Sequence, residues 1–137
     1  MRIEAGSVIL AGGFKAFDAG LKGEYGYGRW PNVITSLEYE RILSAAGPFQ
    51  GHIQRISDAK APRRIAWIQC VGSRDLQTNA DFCSSICCMF AIKEAVLARE
   101  KAAGDIQTTI FYMDMRTFGK SFQRYRDLAE TEKGVLF

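Results

Sequence analysis

Ile65-Ala66-Trp67-Ile68-Gln69-Cys70, the long apolar-periodic run that starts at Cys83, and Thr108-Thr109-Ile110-Phe111-Tyr112-Met113-Asp114 together decide the fold. The first is a short, almost continuous apolar string of the kind that fills an interior strand of a parallel sheet. From Cys83 onward, Ile86, Met89, Phe90, Ile92, Ala95, Val96 and Leu97 recur at three- and four-residue spacing up to Gly104, which predicts a helix of about five turns with a wide apolar face. The third is rich in β-branched and aromatic residues and reads as a second strand. Strand, long helix and strand make a βαβ unit, so the expected class is α/β with a parallel, Rossmann-like sheet.

Working outward, Gly119 to Glu130 reads as a further helix and Val135 as the start of another strand, which continues the alternation. Upstream, Ser7-Val8-Ile9-Leu10-Ala11 reads as a buried strand closed by Gly12-Gly13. Phe14 to Trp30, with Gly20, Gly23, Gly26 and Gly28, has neither period and reads as a long loop. Thr35 and Glu38 have the spacing of a capping box ahead of Tyr39, Ile42, Leu43 and Ala46, so a short helix is expected, stopped by Gly47-Pro48. Phe49 to Arg64 is polar and turn-prone, with a small hairpin expected around His52 to Ile56. This stretch divides the chain into segments 1–60 and 61–137. An apolar run lies near each end, so the sequence reads as a piece of a longer polypeptide.

All four cysteines fall in the second segment, at Cys70, Cys83, Cys87 and Cys88, a C-x12-C-x3-C-C pattern. In a parallel βαβ unit the carboxyl end of the first strand adjoins the amino end of the crossover helix, so this spacing predicts four thiols converging on one point. Unpaired N–H groups and the positive end of a helix dipole favour thiolates there. On a regular helix Cys83 and Cys87 would share one face, with Cys88 turned about 100° away, so the cysteines meet only if the cluster sits close to the helix terminus or the first turn is distorted, and the regular helix is expected to begin near or after Cys83. Structural zinc usually takes C-x2–4-C knuckles, and neighbouring cysteines crowd a tetrahedron around one ion. An iron–sulfur cluster spreads its ligand positions further and suits the triplet plus one remote cysteine better. A zinc-stabilised interaction module, buried free cysteines or a disulfide, and a nicotinamide-binding reductase domain are the alternatives. Against the last, the turn after the first strand (Gln69 to Arg74) keeps one glycine of the G-x-G-x-x-G fingerprint.

Composition narrows the classes further. The chain has 137 residues, 47% apolar and 24% charged, which fits one ordinary globular unit. A formal charge of +3, spread over both segments, gives no footprint for nucleic acid. No apolar run reaches membrane-spanning length and no signal peptide is visible, so the expected location is cytoplasmic. His52, the only histidine, reads as solvated. Arg63, Arg64 and Arg74 flank the cysteine strand, where they could offset a cluster's charge. Asp114 stands where a ribose-binding acid would fall, although a strand-end Asp is more often a turn residue. Tyr25, Tyr27 and Trp30 read as loop packing, and Phe118, Lys120, Phe122, Arg124 and Tyr125 as a half-buried helix.

The runs IAWIQCVGSRD, DFCSSICCMFAIKEAVLAREK and IFYMDMRTFGKSF, with SVILAGGF and GEYGYGRWPNVITSLEYERILS upstream, resemble the A-type subunit of heterodisulfide reductase. The resemblance implies an FAD-containing, thioredoxin reductase-like iron–sulfur flavoprotein. It implies a [4Fe–4S] cluster on Cys70, Cys83, Cys87 and Cys88, acting in electron transfer with no catalytic residue among them. Gly12 and Gly13 resemble the family's segment that passes near the flavin, with Gly12 where the family has threonine. The fingerprint that grips FAD is not in this stretch, so FAD would be held by the full-length parent. Implied partners are other heterodisulfide reductase-type subunits or electron-transfer proteins. Unpaired strand edges also allow a homodimer.

Overall fold

The structure, a computed structural model, describes residues 4–102 and 104–137. Strands β1 (Arg64–Ile68) and β2 (Gln107–Phe111) run parallel, with Trp67 beside Ile110 and Ile68 beside Phe111. Parallel neighbours require a crossover, and helix α2 (Cys87–Lys101) provides it. The expected βαβ unit is therefore present, and the class is α/β. Near the carboxyl end the Leu136 N–H donates to the Thr108 carbonyl, and the Ile110 N–H donates to the Leu136 carbonyl. Leu136 thereby begins a parallel pairing on the far side of β2.

That second pairing makes β2 the inner strand and leaves β1 an edge strand among the described residues, which corrects the interior placement expected for residues 65–70. Trp67 and Ile110 are paired in register and both are buried beneath α2, so their face is the core face. Side chains alternate across a strand, and the opposite face carries Ala66, Ile68 and Phe111, all exposed. The apolar continuity of residues 65–70 is real, but only one face of the strand is covered.

One apolar cluster joins Tyr39 and Leu43, Ile53, Trp67 and Ile110, Ala91, Ile92, Ala95 and Val96, with Ala129 and Val135 at its far side. Helix α1 (Ser36–Leu43) enters it through Tyr39, whose ring meets Trp67 edge-on at 5.6 Å. The capping box holds as expected: the Glu38 N–H donates to Thr35 Oγ1 at 3.3 Å, and the Thr35 N–H donates to Glu38 Oε2 at 2.7 Å. The helix ends at Leu43, so Ala46 lies beyond it and is exposed. Gly47 is needed there because a Cβ would collide with the Arg41 carbonyl. Helix α3 (Phe122–Thr131) packs on α2 through Ala129; Phe118 and Phe122 are exposed, so Tyr125 alone of the aromatic residues expected on this helix is part-buried.

Two expectations fail. Ser7 to Ala11 forms no strand: Val8, Ile9 and Leu10 are exposed, Leu10 at 92%, because no strand edge lies beside them among the described residues. Residues 52–56 form no hairpin either. The Ala59 N–H closes on the Arg55 carbonyl, the Arg55 N–H on the Lys60 carbonyl, and Asn32 grips Ser57, so the stretch folds as stacked turns with only Ile53 in the core.

Candidate metal centre

Cys70 follows β1 by two residues and adopts a left-handed backbone, φ +61. The conformation is uncommon outside glycine and turns the chain sharply off the strand. The Ser73 N–H then closes on the Cys70 carbonyl, and Gly72, at φ +70, lets the Phe17 ring sit where a Cβ would stand. Ser73 joins the two cysteine-bearing segments: its hydroxyl donates to the Phe82 carbonyl and accepts from the Ser84 N–H, both at 3.0 Å. The Arg74 N–H adds a second bond to the Phe82 carbonyl. The glycine-rich loop is anchored on the same structure, since the Lys22 ammonium reaches Asp75 at 2.8 Å and Glu24 at 3.0 Å, and these carboxylates hold its pKa at about 12. Further along that loop, the Tyr27 hydroxyl donates to Glu38 and Trp30 stacks over Gly26, so both aromatics serve packing.

The helix does not begin at Cys83. Ser85 takes φ +59 and interrupts it, and α2 starts at Cys87. Cys83 therefore stands on the loop ahead of the helix, and its relation to Cys87 is not that of two residues on one helical face. The deviation has a local purpose, because the Ser85 N–H turns back to donate to Cys83 Sγ at 3.3 Å.

Burial pushes the Cys70 thiol up, and the neighbouring Cys87 and Cys83 push in the same direction, while the Arg74 guanidinium opposes them. Burial also raises Cys88; the Arg116 N–H, 3.5 Å from its sulfur, opposes this, and nearby Cys87 and Cys70 reinforce it. Cys83 moves the other way: the Ser85 N–H draws it below the usual thiol range, and the Arg116 guanidinium deepens the effect. Cys88 is buried and the other three are part-buried. The fold brings Cys70, after β1, and the segment carrying Cys83, Cys87 and Cys88 to the same end of the βαβ unit, tied together through Ser73. Among the described residues, no group of three or more His, Cys, Asp or Glu side chains is arranged so that it could hold a metal ion as it stands.

Sequence reading missed Arg116. It lies five residues past β2 with no motif to mark it, and only the fold shows its N–H at Cys88 and its guanidinium at Cys83. Asp114 is engaged rather than free: it pairs with Arg74 and, at 3.1 Å, with Arg116. Ile86, just ahead of α2, is 53% exposed, whereas Met89 and Phe90 are part-buried. Gly12 and Gly13 sit in the exposed amino-terminal run, with no heavy atom within 4 Å of a Cβ built on either. His52, Arg63 and Arg64 are exposed. A separate cleft of about 470 Å3 lies between α1, residues 53–56 and β1, lined by Tyr39 and Trp67 and containing no cysteine.

A small α/β unit with a four-cysteine group at the amino end of its crossover helix is what fold and site define. No family model matches the sequence. Individual relatives do. The chain is 44% identical over its whole length to the A-type subunit of the H(2):CoB-CoM heterodisulfide,ferredoxin reductase of Methanothermobacter marburgensis, covering 21% of that protein. It is 48% identical to the A-type iron-sulfur subunit of the CoB–CoM heterodisulfide reductase of Methanocaldococcus jannaschii, again over all of this chain and 21% of the relative. A third relative, the A-type subunit of the Ferredoxin/F(420)H(2)-dependent CoB-CoM heterodisulfide reductase of Methanosarcina acetivorans, is 40% identical, and 17% of it is covered. By sequence the chain is similar to one stretch of the A-type subunits of heterodisulfide reductase, and it spans about a fifth of the length of these relatives. Among the described residues no helix is long and apolar enough to cross a membrane.

Proposed function

We propose that Cys70, Cys83, Cys87 and Cys88 are the ligands of a [4Fe–4S] cluster, and that this chain carries electrons through it as part of an FAD-containing, heterodisulfide reductase-type oxidoreductase. One observation carries the reading: Ser73, on the loop that follows Cys70, bonds the Phe82 carbonyl and the Ser84 N–H on either side of Cys83, just ahead of the helix that opens with Cys87 and Cys88. The donor chemistry fits the group, because thiolates are the ligands that iron–sulfur clusters take. A bound cluster supplies one-electron storage. The chain's own residues do the rest. The N–H groups of Ser85 and Arg116 point at Cys83 and Cys88 sulfur, the hydrogen bonds that tune cluster potentials in general. Arg74 and Arg116 offset the negative charge of four thiolates.

At the level of the parent protein, the relatives' names support a role beside other subunits; FAD would be held by parts of the polypeptide outside this stretch, with Gly12 and Gly13 passing near it. The βαβ unit would then be one piece of a larger Rossmann-like sheet, which accounts for the bare face at Ala66, Ile68 and Phe111. Nothing observed favours a homodimer.

Anaerobic reconstitution with iron and sulfide tests the reading. The expected product is brown, holds iron and sulfide in equal amounts, and gives an electron paramagnetic resonance signal after dithionite reduction. Changing any of the four cysteines to serine should abolish or alter that signal. A colourless protein with one zinc per chain would overturn it.

A further inference from the structure

The polar group that joins the two halves of the cysteine site is not itself a cysteine. Arg74 leaves the loop after β1, just past Cys70, and Arg116 leaves the segment after β2, where its N–H meets Cys88 Sγ at 3.5 Å; the Arg74 charge opposes the rise of the Cys70 thiol and the Arg116 charge lowers that of Cys83. Asp114 accepts from the Arg74 guanidinium with one carboxylate oxygen and from Arg116 Nε, at 3.1 Å, with the other. Both arginines are less than a third exposed, while Asp114 is half exposed. An arginine has long, costly rotamer freedom, and a carboxylate shared by two of them fixes both at once.

We infer that Asp114 is a positioning residue whose carboxylate ties Arg74 to Arg116 and so holds both guanidiniums beside the cysteine site. This rests on the cluster reading for its meaning in electron transfer, because positive charge held near a cluster stabilises its reduced form. It goes beyond that reading in assigning the control of that charge to a residue that touches no thiol. Its neighbourhood explains why the role falls here: the chain leaves β2 where the two arginine-bearing segments pass each other, so a strand-end acid can reach both.

The sign of one measurement separates positioning from simple charge. Removing a lone acid near the site should raise the midpoint potential; releasing two guanidiniums should lower it. In the full chain, reconstituted anaerobically, Asp114→Asn is expected to retain its iron and sulfide and to show a lower midpoint potential, in the same direction as Arg74→Gln and Arg116→Gln, with Asp114→Glu restoring most of the shift. In the cluster-free protein, nitrogen-15 relaxation of the Arg74 and Arg116 Nε–H groups is expected to show ordered side chains that become mobile in Asp114→Asn. A potential that rises or stays fixed in Asp114→Asn, or arginines equally ordered with and without the carboxylate, overturns the positioning role and leaves the cluster reading intact. Wild-type protein that takes up no iron and sulfide, with arginines that still loosen in Asp114→Asn, overturns the cluster reading and, with it, the electron-transfer role assigned to Asp114.

Discussion

Val8-Ile9-Leu10-Ala11 and Ile65-Ala66-Trp67-Ile68 are almost equally apolar, yet one lies open to solvent and the other forms β1. What separates them is the partner. The second run has β2 alongside and α2 above, so its backbone is paired and Trp67 is covered. The first has neither among the described residues, and its apolar side chains gain nothing from being extended. An apolar string is a request for burial, and whether it is met depends on the rest of the chain.

The largest effect that could break this comparison is core truncation. Ile110→Ala, beneath α2 and beside Trp67, is expected to cost about 2–5 kcal/mol in a denaturant titration, whereas Leu10→Ala should stay within about 0.5 kcal/mol. Comparable losses at both positions would show that the amino-terminal run is buried in solution.

A buried acid sharpens the picture of the covered run. Glu94 of α2 is 3% exposed and accepts from the Trp67 indole N–H at 2.8 Å, while its second oxygen has no partner. Burial pushes its pKa up to about 7, the Trp67 bond opposing and Glu40 reinforcing the rise. The folded state therefore holds the proton more tightly than the unfolded state, whose value is near the ordinary 4.5. Stability from this group is complete below pH 4.5 and is lost as pH rises through about 7, a change on the order of 3 kcal/mol. Stability measured by denaturation from pH 4.5 to 8 should fall by that amount relative to Glu94→Gln, in which the slope disappears. A flat wild-type profile would mean that Glu94 is hydrated.

The smallest expected effect concerns the contact that brings α1 to β1. Thr35→Ala removes one side of the capping box and should cost about 1 kcal/mol by thermal or chemical denaturation. A much greater loss would mean that α1 docking, and with it the Tyr39–Trp67 contact, depends on the cap.

Much of the βαβ unit was legible because periodicity reports burial on a face: the α2 stripe and the β-branched string of β2 both announce themselves. The capping box was legible because its chemistry is local, three residues apart. The start of α2 was legible as lying near or after Cys83, but not the break at Ser85, which looks like any helix-tolerant serine until its left-handed backbone is seen. Arg116 was invisible for a different reason: its partners, Cys83 and Cys88, lie about thirty residues upstream and are brought to it only by the crossover.

By itself, the sequence determined a βαβ unit with one cysteine after its first strand and three at the approach to its crossover helix, because periodicity and topology together leave the end of one strand and the start of the next helix adjacent. The tertiary structure alone decided which strand is interior, which apolar run is covered, and which charges face the thiols. Those depend on contacts between residues far apart in the chain, and no local pattern encodes which surface a folded segment will find opposite it.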